Sequence, residues 1–213
     1  MGTYNVLAAS AKNNVKRVIL ASSSSIYGDI REAARESMIE ETYQDLYPLS
    51  KRIGEVTAAL FNNFKLETVT LRYFSTYGNG ENSKGEYSSV IWKFIESIRN
   101  GKKPVIYGDG TQSRDFIYVK DAARASILAM KNGRAGDVYN VGTGVSTDYN
   151  KIFDIIKGET NYDGTAEYVP TSIKNYREFT QADMSHTKDQ LNFIPEFDLM
   201  TGIRETISAL IEK

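Results

Sequence analysis

Two short apolar runs separated by a segment with helical spacing constrain the fold of this chain more than any other sequence feature. Residues 18–21 and 68–74 are rich in β-branched and aromatic side chains, which is typical of buried strands. Between them, from Pro48 to Phe64, apolar side chains recur at steps of three and four residues, as in an amphipathic helix. This alternation favours right-handed crossovers and a mostly parallel sheet. The chain is therefore predicted to be an α/β protein.

The rest of the chain continues the alternation of helix and strand. Residues 30–46 are polar and are predicted to form a loop. Gly101 is predicted to close the helix before it, because glycine readily adopts the left-handed conformation found at helix ends. Helices are predicted at 3–13, 88–100, 121–131, 148–157 and 199–212, and strands at 116–119 and 138–141.

Composition excludes several functional classes. The chain has 26 basic and 27 acidic residues, a formal net charge of −1, so we expect neither nucleic-acid binding nor an anionic membrane surface as partner. It has no cysteine, which excludes disulfides, thiolate metal sites and cysteine nucleophiles, and its one histidine, His186, is predicted to be a surface residue. No metal site is expected. The sequence has neither an apolar run of ~20 residues nor a secretion signal, so a cytoplasmic protein is expected.

Tyr47 and Lys51 form a Tyr-x-x-x-Lys pair near the start of the helix at 48–64. This spacing places both side chains on one side of a helix, one turn apart. An ammonium beside a phenol favours the phenolate, which can act as a general base. Pro48 restricts the residue before it, so the helix is predicted to begin at Pro48 with Tyr47 as its cap. An isolated pair of this kind is more often a surface contact.

Four serines, 22–25, follow the first predicted strand and precede Ile26-Tyr27-Gly28. In doubly wound sheets, ligands bind beyond the carboxyl ends of the strands. A serine at that position can donate a hydrogen bond to a substrate hydroxyl while a tyrosine takes its proton. The alternative is a serine-rich turn that caps the next element.

The segments 71–78 and 107–121 complete a pattern that resembles the extended short-chain dehydrogenases acting on nucleotide sugars, the NAD-dependent epimerase/dehydratase family. The resemblance runs from Gly2 to the last helix, and its most specific piece is Arg114 to Asp121. It implies a Rossmann-like parallel sheet with helices on both faces, whose N-terminal strands are missing, and a smaller α/β substrate-binding lobe. The implied domains are 1–74 with returning segments 116–142 and 199–213, and a nucleotide-sugar lobe at 75–115 and 143–198.

The resemblance also implies a role for each matching residue. Tyr47 would be the catalytic base, Lys51 its partner, and Ser23, four residues before Tyr27, the catalytic serine. Arg114 and Arg177 would bind the diphosphate of the substrate. The alternative for either arginine is a salt bridge to a neighbouring acid, Asp115 or Glu178. The implied cofactor-binding residues are Ser22, Tyr47, Lys51 and Tyr73, and the implied substrate-binding residues are Ser23, Ser24, Ser75, Arg114 and Arg177.

By the same resemblance, the intact protein would be an NAD-dependent epimerase acting at C4 of a nucleotide sugar of the UDP-glucose/UDP-galactose type, through a transient 4-keto sugar. NAD is the implied cofactor, with NADP not excluded, and a homodimer through the helices near 1–13 and 51–64 is expected. Two alternatives remain open. One is another sugar-nucleotide enzyme, such as a uronate epimerase or decarboxylase, and the other is a non-catalytic remnant that binds nucleotide sugar.

Three departures from the family pattern and one contrast with related dehydratases qualify these expectations; one departure is Asn79-Gly80 in place of a common Pro-Arg. No strand followed by a glycine-rich turn precedes Gly2, so weak dinucleotide binding and an unpaired sheet edge are expected. Ser75 stands where family epimerases usually carry asparagine. Ser24 and Ser25 stand where the sugar 4,6-dehydratases carry an Asp-Glu pair, so dehydration is disfavoured.

Overall fold

The structure, a computed structural model, describes residues 2–40, 43, 45–171 and 177–211. Helices and strands alternate along the described chain, as expected. The helices are α1 (Gly2–Lys12), α2 (Leu46–Phe61), α3 (Val90–Arg99), α4 (Val119–Asn132), α5 (Tyr149–Thr160), α6 (Ser185–Leu191) and α7 (Leu199–Ile211). The strands are β1 (Arg17–Ser23), β2 (Glu67–Tyr73), β3 (Ser75–Tyr77), β4 (Val105–Tyr107), β5 (Ser113–Tyr118), β6 (Val138–Val141), β7 (Ser146–Asp148) and β8 (Glu167–Val169).

The first sheet is parallel, with strand order β1-β2-β6. One face packs on α1 and α2 through a cluster built on Leu7, Ala58 and Phe61. The other face packs on α4 and α6, where Val69 and Leu71 of β2 are fully buried. Helices therefore cover both faces of a parallel sheet, which confirms the predicted Rossmann-like α/β fold.

β1 is less buried than its apolar sequence predicts. It is the outer strand of the sheet, and within the described residues only β2 pairs with it. Val18, Ile19 and Leu20 are consequently half-buried. Apolar runs of this kind indicate strands that are buried on both faces of a sheet. At the outer position of β1, these three side chains stay partly open to solvent.

A second group of elements follows β2. β5 pairs with β3 in parallel and with β7 in antiparallel fashion, and β4 pairs with β8. Their core packs α3 and α5 around Tyr77, Phe94 and Ile152. The domain boundaries remain a prediction, and two helices cross them: α7 packs with α3 and α5, whereas α6 packs with α4 and β6.

The predicted start of α2 is wrong by two residues. The helix begins at Leu46, and its cap is Asp45, whose carboxylate accepts a hydrogen bond from the Tyr47 backbone N–H at 2.9 Å. An aspartate side chain supplies the acceptor that a helix start requires, and tyrosine lacks one. Tyr47 therefore lies inside the first turn of α2. Pro48 lies in the same turn, where a backbone N–H has no intrahelical acceptor, so proline costs no helical hydrogen bond there. Gly101 has φ +64°, which confirms its predicted place after α3.

Five elements were not predicted: β3, β4, β7, β8 and α6. Four are strands of three residues and the fifth is a seven-residue helix, and all are too short to be identified by periodicity.

In the described parts of the chain, every helix is too short or too polar to cross a lipid bilayer. His186 lies at the surface of α6, with its ring stacked on Tyr139 and Nε2 3.2 Å from Asp137.

Candidate active site

The serine segment forms a turn at the carboxyl end of β1. Ser23 ends the strand, and its hydroxyl accepts a hydrogen bond from the Ser25 backbone N–H at 3.1 Å, which caps a 3-10 helix from Ser24 to Tyr27. Gly28 closes the turn with φ +67°, a backbone conformation that favours glycine over residues with a Cβ. Ser23 thus has the capping role considered above, and it remains half-exposed at the sheet edge.

Tyr47 and Lys51 lie beside this turn. The Lys51 ammonium donates a hydrogen bond to the Ala21 carbonyl at 3.0 Å, two residues before Ser23. The same ammonium is 5.7 Å from the centroid of the Tyr47 ring. Tyr47 is 56% exposed, so a ligand can reach its phenol. Lys51 therefore connects the tyrosine, through α2, to the end of the strand that carries the serine.

Two predicted cofactor contacts have hydroxyls already bonded to protein groups. Ser22 is buried, and its hydroxyl donates to the Glu55 carboxylate at 2.5 Å. Tyr73 is the Cα partner of Ser23 across the two strands, and its hydroxyl lies 2.7 Å from that of Ser126 on α4. Burial raises the pKa of Tyr73, so this phenol stays protonated. The cofactor roles of Ser22 and Tyr73 remain predictions.

The two predicted phosphate-binding arginines are neighbours, and one reaches the serine turn. Arg177 donates to the Ser25 carbonyl at 2.6 Å. Arg114 donates to the Arg177 carbonyl and to the Ser113 carbonyl, and its guanidinium lies 5.9 Å from the centroid of the Tyr149 ring. Burial lowers the pKa of Arg177; the Asp45 carboxylate opposes this shift, and the Arg114 cation adds to it. An anion would relieve this repulsion, as a diphosphate does when guanidinium groups bind it.

The acids considered as salt-bridge partners have other contacts. The Asp115 carboxylate is fully buried and accepts hydrogen bonds from Thr143, Gly144 and Ala182 at 2.7–3.0 Å. Burial raises the pKa of Asp115. Glu178 is exposed and pairs with Arg31 at 3.0 Å.

Ser24 and Ser75 are the remaining predicted substrate contacts. Ser24 is the first residue of the 3-10 helix and is half-buried. Ser75 begins β3, two residues after Tyr73, and is also half-buried. Ser24 is thus adjacent in sequence to Ser23, and Ser75 lies two residues from Tyr73. Across residues 2–40, 43, 45–171 and 177–211, no three acidic or histidine side chains gather to hold a metal ion.

Sequence reasoning missed a buried polar cluster directly beneath these residues. Its members are Ser22, Tyr27, Glu55, Arg72 and Asn140, all between 0% and 5% exposed. The signal that could have found it is Arg72, the one charged residue in the strand-like segment 68–74. A buried charge is rare unless it is paired, so a partner could have been expected.

Comparison with known proteins identifies relatives of one family. The family model described as "NAD dependent epimerase/dehydratase family" matches residues 1–142. The chain is 34% identical to the putative UDP-glucose 4-epimerase of Methanocaldococcus jannaschii over 213 residues, covering 98% of this chain and 67% of that protein. It is 31% identical to the UDP-glucuronate 4-epimerase of Thermodesulfobacterium geofontis, covering 97% of this chain and 63% of that protein.

Solved structures of similar proteins have the same fold. The UDP-glucose 4-epimerase of Thermotoga maritima with UDP-glucose superposes with a TM-score of 0.92 at 29% identity, covering 99% of this chain and 68% of the other. The UDP-N-acetylglucosamine 4-epimerase of Methanobrevibacter ruminantium gives 0.85 at 36% identity, covering 99% and 67%. The chain thus spans about two thirds of the length of the relatives it matches.

Proposed function

Because the chain belongs to the NAD-dependent epimerase/dehydratase family, we propose that it forms the catalytic and nucleotide-sugar-binding part of a 4-epimerase of the UDP-glucose/UDP-galactose type. The observation that carries this proposal is the bond from Lys51 to the Ala21 carbonyl. This bond joins α2, which carries Tyr47 and Lys51, to β1, which carries Ser23. A tyrosine, a lysine and a serine together can deprotonate a sugar hydroxyl, whereas each alone cannot orient it.

In the proposed reaction, Tyr47 removes the proton from the sugar 4-hydroxyl and later returns it to the 4-keto sugar. Lys51, whose ammonium lies 5.7 Å from the centroid of the Tyr47 ring, is its partner in this step. Ser23 donates a hydrogen bond to the same sugar oxygen. NAD, when bound, would supply the hydride acceptor for the oxidation of the sugar carbon and the hydride donor for its reduction.

Epimerisation also requires that the sugar turn over while the nucleotide stays bound. In this proposal Arg114 and Arg177 anchor the diphosphate, since they are neighbours and Arg177 contacts the serine turn. A bound diphosphate keeps the reacting carbon near Tyr47 during this rotation, and proximity of this kind supplies much of an enzyme's rate.

The residues present fit the nicotinamide end of the cofactor. Lys51 offers an ammonium to the ribose hydroxyls, and the ring of Tyr73 is half-exposed beside Ser23. The glycine-rich turn that would hold the pyrophosphate does not occur in this 213-residue sequence. Since the chain spans about two thirds of the length of its relatives, we propose the epimerase activity for the NAD-loaded protein that carries this chain.

An assay of that protein with UDP-glucose, UDP-N-acetylglucosamine and UDP-glucuronate tests the proposal. Interconversion of UDP-glucose and UDP-galactose is the expected result. Turnover of UDP-glucuronate alone would favour the uronate epimerase or decarboxylase alternative, which the 31% identity to a UDP-glucuronate 4-epimerase supports. Calorimetry with UDP and with NAD separates the non-catalytic alternative: UDP binding without any turnover would contradict the enzymatic proposal.

A homodimer is part of this proposal. One side of α2 and the 3-10 turn after it exposes an apolar stripe, defined as Leu49, Ile53, Val56, Leu60 and Phe64. The spacing of four, three, four and four residues forms a continuous seam along the helix. An exposed apolar patch of this length marks an interaction surface, and a second copy of α2 would cover it.

We expect Leu60→Glu to convert a dimer into a monomer in sedimentation velocity, because a carboxylate in the seam would be buried without a partner. Leu60 is 57% exposed in the single chain, so the monomer itself should remain folded. The matched control is Ile127→Glu on α4, where an isoleucine is 50% exposed. A monomeric parent, or equal dissociation by both variants, would contradict the α2 interface.

A further inference from the structure

We propose that Glu55 and Arg72 are positioning residues that fix Tyr47, Lys51 and Ser23 relative to one another; this inference rests on the proposed function. The pair is fully inside the protein, with Arg72 1% and Glu55 4% exposed. Arg72 donates from Nε to one carboxylate oxygen at 3.0 Å and from Nη2 to the other at 2.8 Å. Such a two-bond fork fixes both distance and orientation.

The pair contacts both elements that carry the site. Glu55 lies one helical turn after Lys51, on the face of α2 that meets the sheet. The oxygen of Glu55 that binds Arg72 Nε also accepts from Ser22, the residue before Ser23. Moving Glu55 would therefore move the helix of Tyr47 and Lys51 against the strand of Ser23.

Arg72 fixes the other end of the serine turn. Its Nη1 donates to the Tyr27 hydroxyl at 3.0 Å, and its guanidinium lies 5.0 Å from the centroid of that ring. Tyr27 in turn donates to the Asn140 side chain at 2.5 Å. Burial raises the pKa of Tyr27 to about 12, so the phenol keeps its proton and can donate. The turn from Ser23 to Tyr27 is thus held at both ends by one cation–carboxylate pair.

The sheet register places this pair across three strands. Ser22, Arg72 and Asn140 are Cα partners on β1, β2 and β6, one row before the carboxyl ends of the strands. All three side chains enter the polar cluster under α2. The row directly beyond contains Ser23 and Tyr73. The buried row therefore underlies the proposed active site.

Stability alone does not explain a buried ion pair at this place. Removing two charges from water costs much of what their attraction returns, and apolar residues of similar volume often serve as well or better. Although burial disfavours the cation, its bonds with Glu55 raise the pKa of Arg72, so the guanidinium keeps its charge. Fixed geometry is what the pair supplies and apolar packing would not.

The test is Arg72→Lys in the NAD-loaded protein that carries this chain. Lysine keeps the charge and loses the fork. We expect kcat to fall about 10- to 100-fold, since displacement of about 1 Å has that effect, while KM for the nucleotide sugar and the UDP affinity stay unchanged. Hydrogen exchange should accelerate in peptides covering 20–28 and 45–56.

The matched control is Arg17→Lys. Arg17 on β1 donates two hydrogen bonds, at 2.6 and 2.9 Å, to one carboxylate oxygen of Glu67 on β2. These two residues are Cα partners at the amino ends of the two strands. This variant should leave kcat and exchange at 20–28 unchanged. A fall in kcat no larger for Arg72→Lys than for Arg17→Lys would overturn the inference.

A second variant separates positioning from stability. Glu55→Leu combined with Arg72→Met removes both charges, and we expect its melting temperature to exceed that of either single change, with kcat still low. Recovery of kcat together with stability would show a purely structural role and overturn the inference. Absence of turnover in the parent protein would instead refute the proposed function, and the inference with it.

Discussion

Replacing Tyr47 by phenylalanine is expected to lower kcat by at least about 100-fold, and by up to about 10⁴-fold, the range that general acid–base groups contribute. The substitution removes the hydroxyl that is proposed to take the sugar proton, and it leaves the ring beside Lys51. Because Tyr47 is more than half exposed, the free energy of unfolding should change by no more than about 0.5 kcal/mol. UDP affinity should not change, since the proposed diphosphate-binding residues are Arg114 and Arg177.

The measurement is a steady-state epimerase assay paired with calorimetric titration of UDP. The control is Tyr4→Phe on α1, where the tyrosine is 54% exposed and its ring contacts Phe61 edge to face. This variant should retain the kcat of the parent. If Tyr47→Phe also retained it, Tyr47 would not be the base. A parallel loss of UDP binding would show instead that the phenol contributes to nucleotide binding.

Replacing Arg177 by methionine is expected to weaken UDP binding about 10- to 100-fold, because hydrogen bonds to a charged group contribute about 1.5–3 kcal/mol and each 1.4 kcal/mol is tenfold in affinity. The half-buried guanidinium faces a second cation, Arg114, and a negatively charged diphosphate would neutralise both. Its bond to the Ser25 carbonyl is lost as well, so kcat should also fall. Calorimetry with UDP and with uridine measures the effect.

Uridine distinguishes the phosphate contribution, since the ratio of UDP to uridine affinity should fall in the variant. Arg204→Met is the control: this arginine makes an exposed two-bond pair with Glu159 on the surface of α7. It should leave both affinities unchanged. An unchanged UDP-to-uridine ratio in Arg177→Met would remove Arg177 from the diphosphate site.

The local sequence pattern was sufficient to predict most helices and strands, and the order in which the site residues follow one another along the chain. The steps of three and four in α2 and the apolar runs in β1 and β2 depend only on near neighbours in sequence, so they could be predicted. The start of α2 could not, because Pro48 and Asp45 both offer a helix start and only the folded backbone selects the aspartate cap. The three-residue strands carry too few side chains for any period.

The buried pair of Glu55 and Arg72 lies beyond sequence reasoning for a different reason. The two residues are 17 positions apart, and their contact depends on how α2 packs over β2. The neighbouring arginines, Arg114 and Arg177, are 63 positions apart in the chain, and backbone hydrogen bonds of Ser113 with Glu178 and Thr180 bring them together. Such long-range contacts have no local sequence signature.

The sequence by itself determined the parallel α/β class, the Tyr47–Lys51 spacing and the serine-bearing end of β1, because periodicity and residue chemistry are local properties of the chain. Only the tertiary structure decided which serine hydroxyl is buried on Glu55, which one caps the turn, and which carbonyl Lys51 binds. Hydrogen-bond partners depend on distance and direction in three dimensions, and these follow from helix packing and sheet register rather than from residue order.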